Sequence, residues 1–190
     1  MKNHRWFSLI AALIFCICCQ KNKPIQIGEQ LPEFIRMQWL QSPPITISKL
    51  KGKVVLIRWW TDECIFCMNS ADALNNWYNQ YHEKGLIVLG IYHVKPIDRK
   101  VSLDDIREFA IEKGFQFPIG VDQEWKNLNR YWLESGPKDY TSISILLDKN
   151  GKIRYIHPGG EYHKEEIEGH EHCVKDYMKI DSLIRQLLAK

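Results

Sequence analysis

Sixteen residues, Lys53 to Met68, do most to limit what this chain can become. They read Lys-Val-Val-Leu-Ile-Arg-Trp-Trp-Thr-Asp-Glu-Cys-Ile-Phe-Cys-Met. The run Val54 to Ile57 is apolar, rich in β-branched residues and bounded by Gly52 and Asp62, so it predicts a buried strand. Beyond it the period changes. Cys67, Ala71, Leu74, Tyr78 and Tyr81 fall at helical spacing, so a helix begins at the Cys64-x-x-Cys67 pair. The N-terminus of a helix offers unpaired N–H groups and the positive end of a dipole, which favour a thiolate on the first cysteine. The two-residue spacer lets the second thiol close a disulfide or release a mixed one. Zinc is the alternative use of such a pair, but structural zinc sites need two more ligands and no second Cys-x-x-Cys stands downstream.

The other cysteines define the setting. Cys16, Cys18 and Cys19 cluster near the start, leaving Cys64, Cys67 and Cys173, too few for a disulfide scaffold. Met1 to Arg5 carries Lys2 and Arg5, Trp6 to Cys19 is apolar apart from Ser8, and the chain turns polar at Gln20. That layout predicts an export signal over 1–19 and a tether over 20–27. It resembles a bacterial lipoprotein signal, with Cys19 the lipidated residue; a plain secretory signal and an uncleaved anchor are the alternatives. The expected location is the cell envelope, membrane-anchored and facing the periplasm, where disulfides persist. A chain of 190 residues allows one domain beyond that leader, here 28–190. Its net charge is +3; without Lys2 and Arg5 it has 24 basic against 23 acidic residues, which gives no sign of a nucleic-acid partner.

Further strands are expected at Leu86 to Tyr92, Phe117 to Val121, Ser144 to Asp148 and Lys152 to His157, the last two joined by a turn at Lys149-Asn-Gly151. A crossover helix from about Asn69 to Lys84 between two continuously apolar strands implies that they are parallel. Ser102-Leu-Asp-Asp105 is a helix start, with the stop at Gly114. Trp125 to Trp132 reads as helical, and Val174, Tyr177, Ile180, Ile184 and Leu187 mark a closing amphipathic helix. Trp39 to Ile47, with Pro43-Pro44, reads as two short strands around a turn.

This order of elements, with Pro32-Glu-Phe34, Leu50-Lys-Gly-Lys-Val-Val-Leu56, Trp60-Thr61, Cys64-x-x-Cys67, Trp77-Tyr78, Lys84-Gly-Leu-Ile-Val-Leu-Gly90, Phe117-Pro118, Tyr131-Trp132 and Leu146-Leu-Asp-Lys-Asn-Gly-Lys-Ile-Arg154, resembles the thioredoxin-fold redoxins of the bacterial cell envelope, the TlpA and ResA type and more closely the thioredoxin-like domain of DipZ. The resemblance implies an α/β three-layer sandwich: a central mixed sheet, helices on both faces and an N-terminal β-hairpin extension. It implies thiol–disulfide exchange with envelope proteins, Cys64 as nucleophile and Cys67 as resolving thiol. No dissociable cofactor is implied; electrons come from an upstream redox partner.

Four departures from the family pattern bear on tuning. The position of the family's cis-proline, opposite the dithiol, is Ser142. The buried acidic residue six places before the first cysteine is Arg58, which cannot take up the resolving thiol's proton and, if buried, favours thiolate. Glu63, just before the nucleophile, acts oppositely; alternatively Arg58 pairs with Glu63 or Asp62. Ala71 stands where a proline usually bends the helix, which predicts a straighter one.

A second cluster lies near the end. His157, His163, His170, His172 and Cys173 put four of the seven histidines and the last cysteine within seventeen residues. His170, His172 and Cys173 are candidate donors for zinc or copper. Two competing functions stand beside exchange: metal binding or delivery through Cys64, Cys67 and a histidine, and peroxide reduction. The Pro-x-x-x-Thr-x-x-Cys pattern of peroxide-reducing relatives is not met at Cys64, which counts against the latter.

Overall fold

The computed structural model describes residues 24–190. The expected signal, with Cys19, and the tether's residues 20–23 lie outside the described residues. Among the described residues no helix is long and apolar enough to cross a membrane.

The elements are β1 (Gln38–Leu40), β2 (Val54–Trp60), α1 (Ile65–Asn69), α2 (Ala71–Tyr81), β3 (Leu86–Tyr92), α3 (Leu103–Glu112), β4 (Ile119–Val121), α4 (Lys126–Tyr131), β5 (Ser144–Leu147), β6 (Ile153–His157) and α5 (Glu171–Leu188). They make one six-stranded sheet in the order β1-β4-β3-β2-β5-β6. β2 lies parallel to β3 from Val54↔Leu86 to Trp60↔Tyr92, and antiparallel to β5. β4 continues the parallel set, while β1 and β6 close the edges antiparallel.

All seven residues of β2 are buried, because both faces of the sheet are covered. Val54, Leu56 and Trp60 pack with Leu74 and Trp77 of α2, Ile106 of α3, and Ile180 and Ile184 of α5. Val55, Ile57 and Trp59 face the other way, toward Leu128 and Tyr131 of α4. Each such side chain contributes about 1.5–3 kcal/mol on burial, so the continuous apolar run makes this strand the centre of the sheet. Gly90 lets β3 approach the Trp60 ring: a Cβ there would come within 2.8 Å of its Nε1. The helix start at Ser102 is a full capping box with Asp105, and the chain leaves α3 through Gly114 at φ +69°.

Two expectations are corrected. The N-terminal hairpin does not form: β1 pairs with β4 instead, residues 45–46 of the expected second strand have no regular structure, and a 3₁₀ turn, Ile47–Leu50, begins at its end. Pro43 and Pro44 have no N–H for a ladder. The Glu33 carboxylate accepts the N–H groups of Ile47 and Ser48, at 2.7 and 2.8 Å. Nor is the helix after the dithiol straight. It breaks at Ser70, whose hydroxyl donates to the Phe66 carbonyl (2.8 Å) and accepts the N–H of Tyr162 (3.1 Å). Such back-bonding bends helices without proline.

Candidate functional site

β2 ends at Trp60, and the turn Thr61–Glu63 delivers Cys64 to the N-cap of α1. Cys64 and Cys67 form a disulfide with their Cα atoms 5.2 Å apart. The N–H of Cys67 donates to Cys64 Sγ at 3.2 Å, so the helix start solvates that sulfur. The two sulfurs differ in access. Cys64 is half-buried at the surface, and Cys67 is buried behind it, 2% exposed.

Cys64 opens into a groove of about 470 Å³. One wall is Cys64, Ile65 and Phe66; the other is Tyr140, Thr141 and Ser142. Ile65, Phe66 and Tyr140 are exposed, and the rings of Phe66 and Tyr140 meet edge-on at 5.6 Å across the groove. An exposed apolar rim around a reactive sulfur suits an extended polypeptide. Ser142 lines the groove together with Cys64.

Beneath the groove lies Arg58, wholly buried. It does not pair with Asp62 or Glu63. Nη1 donates to the Ser142 carbonyl and Nη2 to the Gly160 carbonyl (2.7 Å), while the guanidinium sits 4.9 Å over the Tyr162 ring. Burial lowers its pKa from the ordinary value. The guanidinium thus ties the groove wall to the loop after β6. That loop can pass because Gly159 has no side chain: a Cβ there would lie 2.2 Å from Tyr140 Cβ.

The carboxylates pair elsewhere. Arg99 binds Asp62 and, at 2.9 Å, Glu63, while the Tyr92 hydroxyl donates to Asp62 at 3.0 Å. Burial raises the Asp62 pKa, but hydrogen bonds from Arg99, Tyr92 and Thr61 outweigh it and hold the carboxyl below its ordinary value. His93, wholly buried past the end of β3, sets its Nε2 2.8 Å from Thr141 Oγ1. Burial, then the charge of Lys95, lowers its pKa to about 3, so it is neutral at physiological pH. Sequence reasoning missed Arg99, Tyr92 and His93: each is an isolated residue whose relation to the dithiol appears only when the strand ends meet.

The C-terminal donors assemble differently from expectation. Glu161, His163, His170 and Cys173 bring one ligand atom each within 4.8 Å of one another. His172 stays outside that group, exposed, with Nε2 3.3 Å from Cys173 Sγ. Cys173 is wholly buried; burial, then the charge of Glu161, pushes its thiol up to about 11. Glu161 also accepts from Asn69 at the end of α1, so this cluster and the dithiol brace one helix from opposite ends.

Residues 27–156 match the AhpC/TSA family. The chain is 34% identical over 157 residues to protein DipZ of Mycobacterium bovis, covering 79% of this chain but only 19% of DipZ. It thus spans about a fifth of that relative's length. It is 28% identical over 181 residues to the thiol-disulfide oxidoreductase ResA of Bacillus cereus, covering 89% of this chain and 95% of ResA. A thiol-disulfide isomerase from Corynebacterium glutamicum superposes with a TM-score of 0.66 at 20% identity, over 86% of this chain and 97% of that one. The fold is therefore the thioredoxin-like one.

Proposed function

The chain belongs to the AhpC/TSA family, and from that premise we propose that it acts as a thiol–disulfide oxidoreductase on polypeptide substrates. One observation carries the reading: of two sulfurs at bonding distance, one lies at the mouth of an apolar-rimmed groove and the other behind it. In the reduced state the Cys64 thiolate attacks a substrate disulfide. The substrate S–S bond breaks, one substrate thiolate leaves and takes up a proton, and a mixed disulfide to Cys64 remains. Cys67 then loses its proton and attacks Cys64 Sγ. The second substrate thiolate leaves, the Cys64–Cys67 disulfide closes, and two electrons have passed to the substrate. A partner dithiol reverses the exchange on the enzyme. Arg58 has no lone pair for the Cys67 proton, so it serves as a fixed positive charge that favours thiolate nearby. Ser142, at the groove wall, leaves room there, and Glu63, held by Arg99, opposes Arg58 only weakly.

The leader reading completes the proposal: export, with Cys19 lipidated, puts the dithiol in the envelope, tethered to the membrane. Partitioning of the mature protein into detergent, abolished by Cys19→Ala, checks it; a water-soluble wild type removes the tether.

The dithiol experiment uses Cys67→Ser and a disulfide-bonded peptide. The variant accumulates a covalent adduct with half the peptide, while Cys64→Ser forms none and loses turnover. Peptide reduction by Cys64→Ser at the wild-type rate removes the reading. The reduction potential then gives the direction: near −270 mV marks a reductant, near −120 mV an oxidant. Metal binding by the reduced Cys64–Cys67 pair is the competing reading, and stoichiometric metal in protein purified without chelator would favour it.

A further inference from the structure

We propose that Glu161, His163, His170 and Cys173 form a tetrahedral zinc(II) site, separate from the dithiol and independent of the exchange reading.

The donors converge from two elements. Glu161 and His163 lie on the loop after β6; His170 and Cys173 stand at the start of α5, where the Cys173 N–H donates to the His170 carbonyl at 2.9 Å. His163 Nδ1 lies 2.9 Å from the Glu165 carbonyl. A carbonyl only accepts, so Nδ1 carries the proton and Nε2 presents a lone pair. That Nε2 lies 3.3 Å from His170 Nδ1, which lies 2.8 Å from Glu161 Oε1; Cys173 Sγ is 3.6 Å from the same oxygen. Zinc bonds of about 2.0–2.1 Å to nitrogen and about 2.3 Å to sulfur give tetrahedral edges of about 3.3–3.6 Å. Two of the three spacings already match, and the third opens by about half an ångström once zinc replaces the shared proton.

The chemistry of the set agrees. His163 Nε2 and Glu161 Oε1 both face His170 Nδ1, which has one proton to give. The Cys173 S–H, 3.6 Å from Glu161 Oε1, is only a weak second donor, in a pocket where Glu161, His163 and Cys173 are all buried. A divalent ion resolves this. The carboxylate and the thiolate together cancel its charge, so the buried assembly is neutral. Copper(I) would leave the same set with a net negative charge and prefers softer ligands. Two contacts hold the donors in place: His163 through Glu165, and Glu161 through Asn69. Such outer contacts typically change metal affinity 10–100-fold.

The test uses cobalt(II) as the spectroscopic probe, then zinc(II) in competition, on the full chain carrying Cys64→Ser and Cys67→Ser with Cys16, Cys18 and Cys19 replaced by alanine. The expected result is one ion per chain, a thiolate-to-cobalt charge-transfer band and the intense visible bands of tetrahedral cobalt, all bleached by one equivalent of zinc. Adding Cys173→Ser abolishes the charge-transfer band. His163→Gln weakens binding at least about tenfold. His172→Gln leaves the spectrum unchanged. Absence of the tetrahedral bands before any of these three changes overturns the proposal without reference to how the variants fold. So does a charge-transfer band that survives Cys173→Ser, or one that disappears with His172→Gln.

Discussion

Among the described residues cysteine stands in two places, and they are built in opposite ways. Cys64 and Cys67 come from one stretch of four residues, at a strand–helix junction, with one sulfur half-open to solvent. Cys173 is wholly buried, and its partners Glu161 and His163 reach it from a loop ten or more residues away. Exchange chemistry needs access and a fast second thiol, which local spacing supplies. A site that holds an ion needs several donors fixed without water between them, which only tertiary packing supplies. The difference is that between a reagent and a clamp.

The widest gap should appear in thiol reactivity. In the reduced, metal-free chain at pH 7.5, Cys64 should alkylate roughly 10³-fold faster than Cys173, whose thiol is pushed up to about 11 and buried. Peptide mass spectrometry over time reads both; equal rates would erase the contrast. Next comes the support under the groove. Arg58→Met takes a donor from both the Ser142 and Gly160 carbonyls and should cost about 2–4 kcal/mol, read as a lower denaturant midpoint at unchanged slope. A more stable variant would show the buried charge to be a net burden.

Smaller is the acid limb. His93 has its pKa lowered to about 3 in the fold, so only the unfolded chain takes up its proton as pH falls below about 6.5. Stability is therefore lost on acidification, by about 2 kcal/mol between pH 7 and pH 5 from this group. His93→Gln should flatten that part of the curve. His157, also lowered by burial, keeps its share in both chains, and Asp62 enters only nearer pH 4. A limb unchanged by the substitution would mean His93 titrates normally. Least of all, Arg99→Gln should cost under about 1 kcal/mol, since Arg99 is partly exposed, and should slow alkylation of the reduced chain at Cys64 by less than about tenfold, because Asp62 and Glu63 lose their counter-charge. Faster alkylation would exclude those carboxylates from the site's field.

What the sequence made legible follows the same division. The strand over Val54–Trp60, the Cys64–Cys67 junction, the parallel crossover to Leu86 and the helix start at Ser102 are all short-range patterns, and all appear in the structure. Ser142 was placed by register along a strand, which is still local counting. The failures are competitions between partners. Pairing within 39–47 lost to Glu33 and to β4, and straightness after Cys67 lost to the Ser70 hydroxyl. Arg58 had two acidic neighbours in sequence and took two carbonyls instead, while Arg99 took the acids. His172 sits one residue from Cys173, yet Glu161 and His163 complete the group. Adjacency in sequence does not decide which side chain arrives when a loop folds back.

The contacts that brace α1 and Arg58 also set an order of assembly. Asn69 meets Glu161 and Ser70 meets Tyr162 across 92 residues, and Arg58 meets Gly160 across 102. A chain that emerges N-terminus first presents the dithiol before its brace, by 92 to 102 residues. Until β6 and the loop beyond it arrive, the guanidinium of Arg58 lacks the Gly160 carbonyl and the Tyr162 ring. The dithiol pair thus emerges first and acquires its native surroundings last, and a fragment ending before Ile153 would carry both sulfurs without being a smaller version of the molecule.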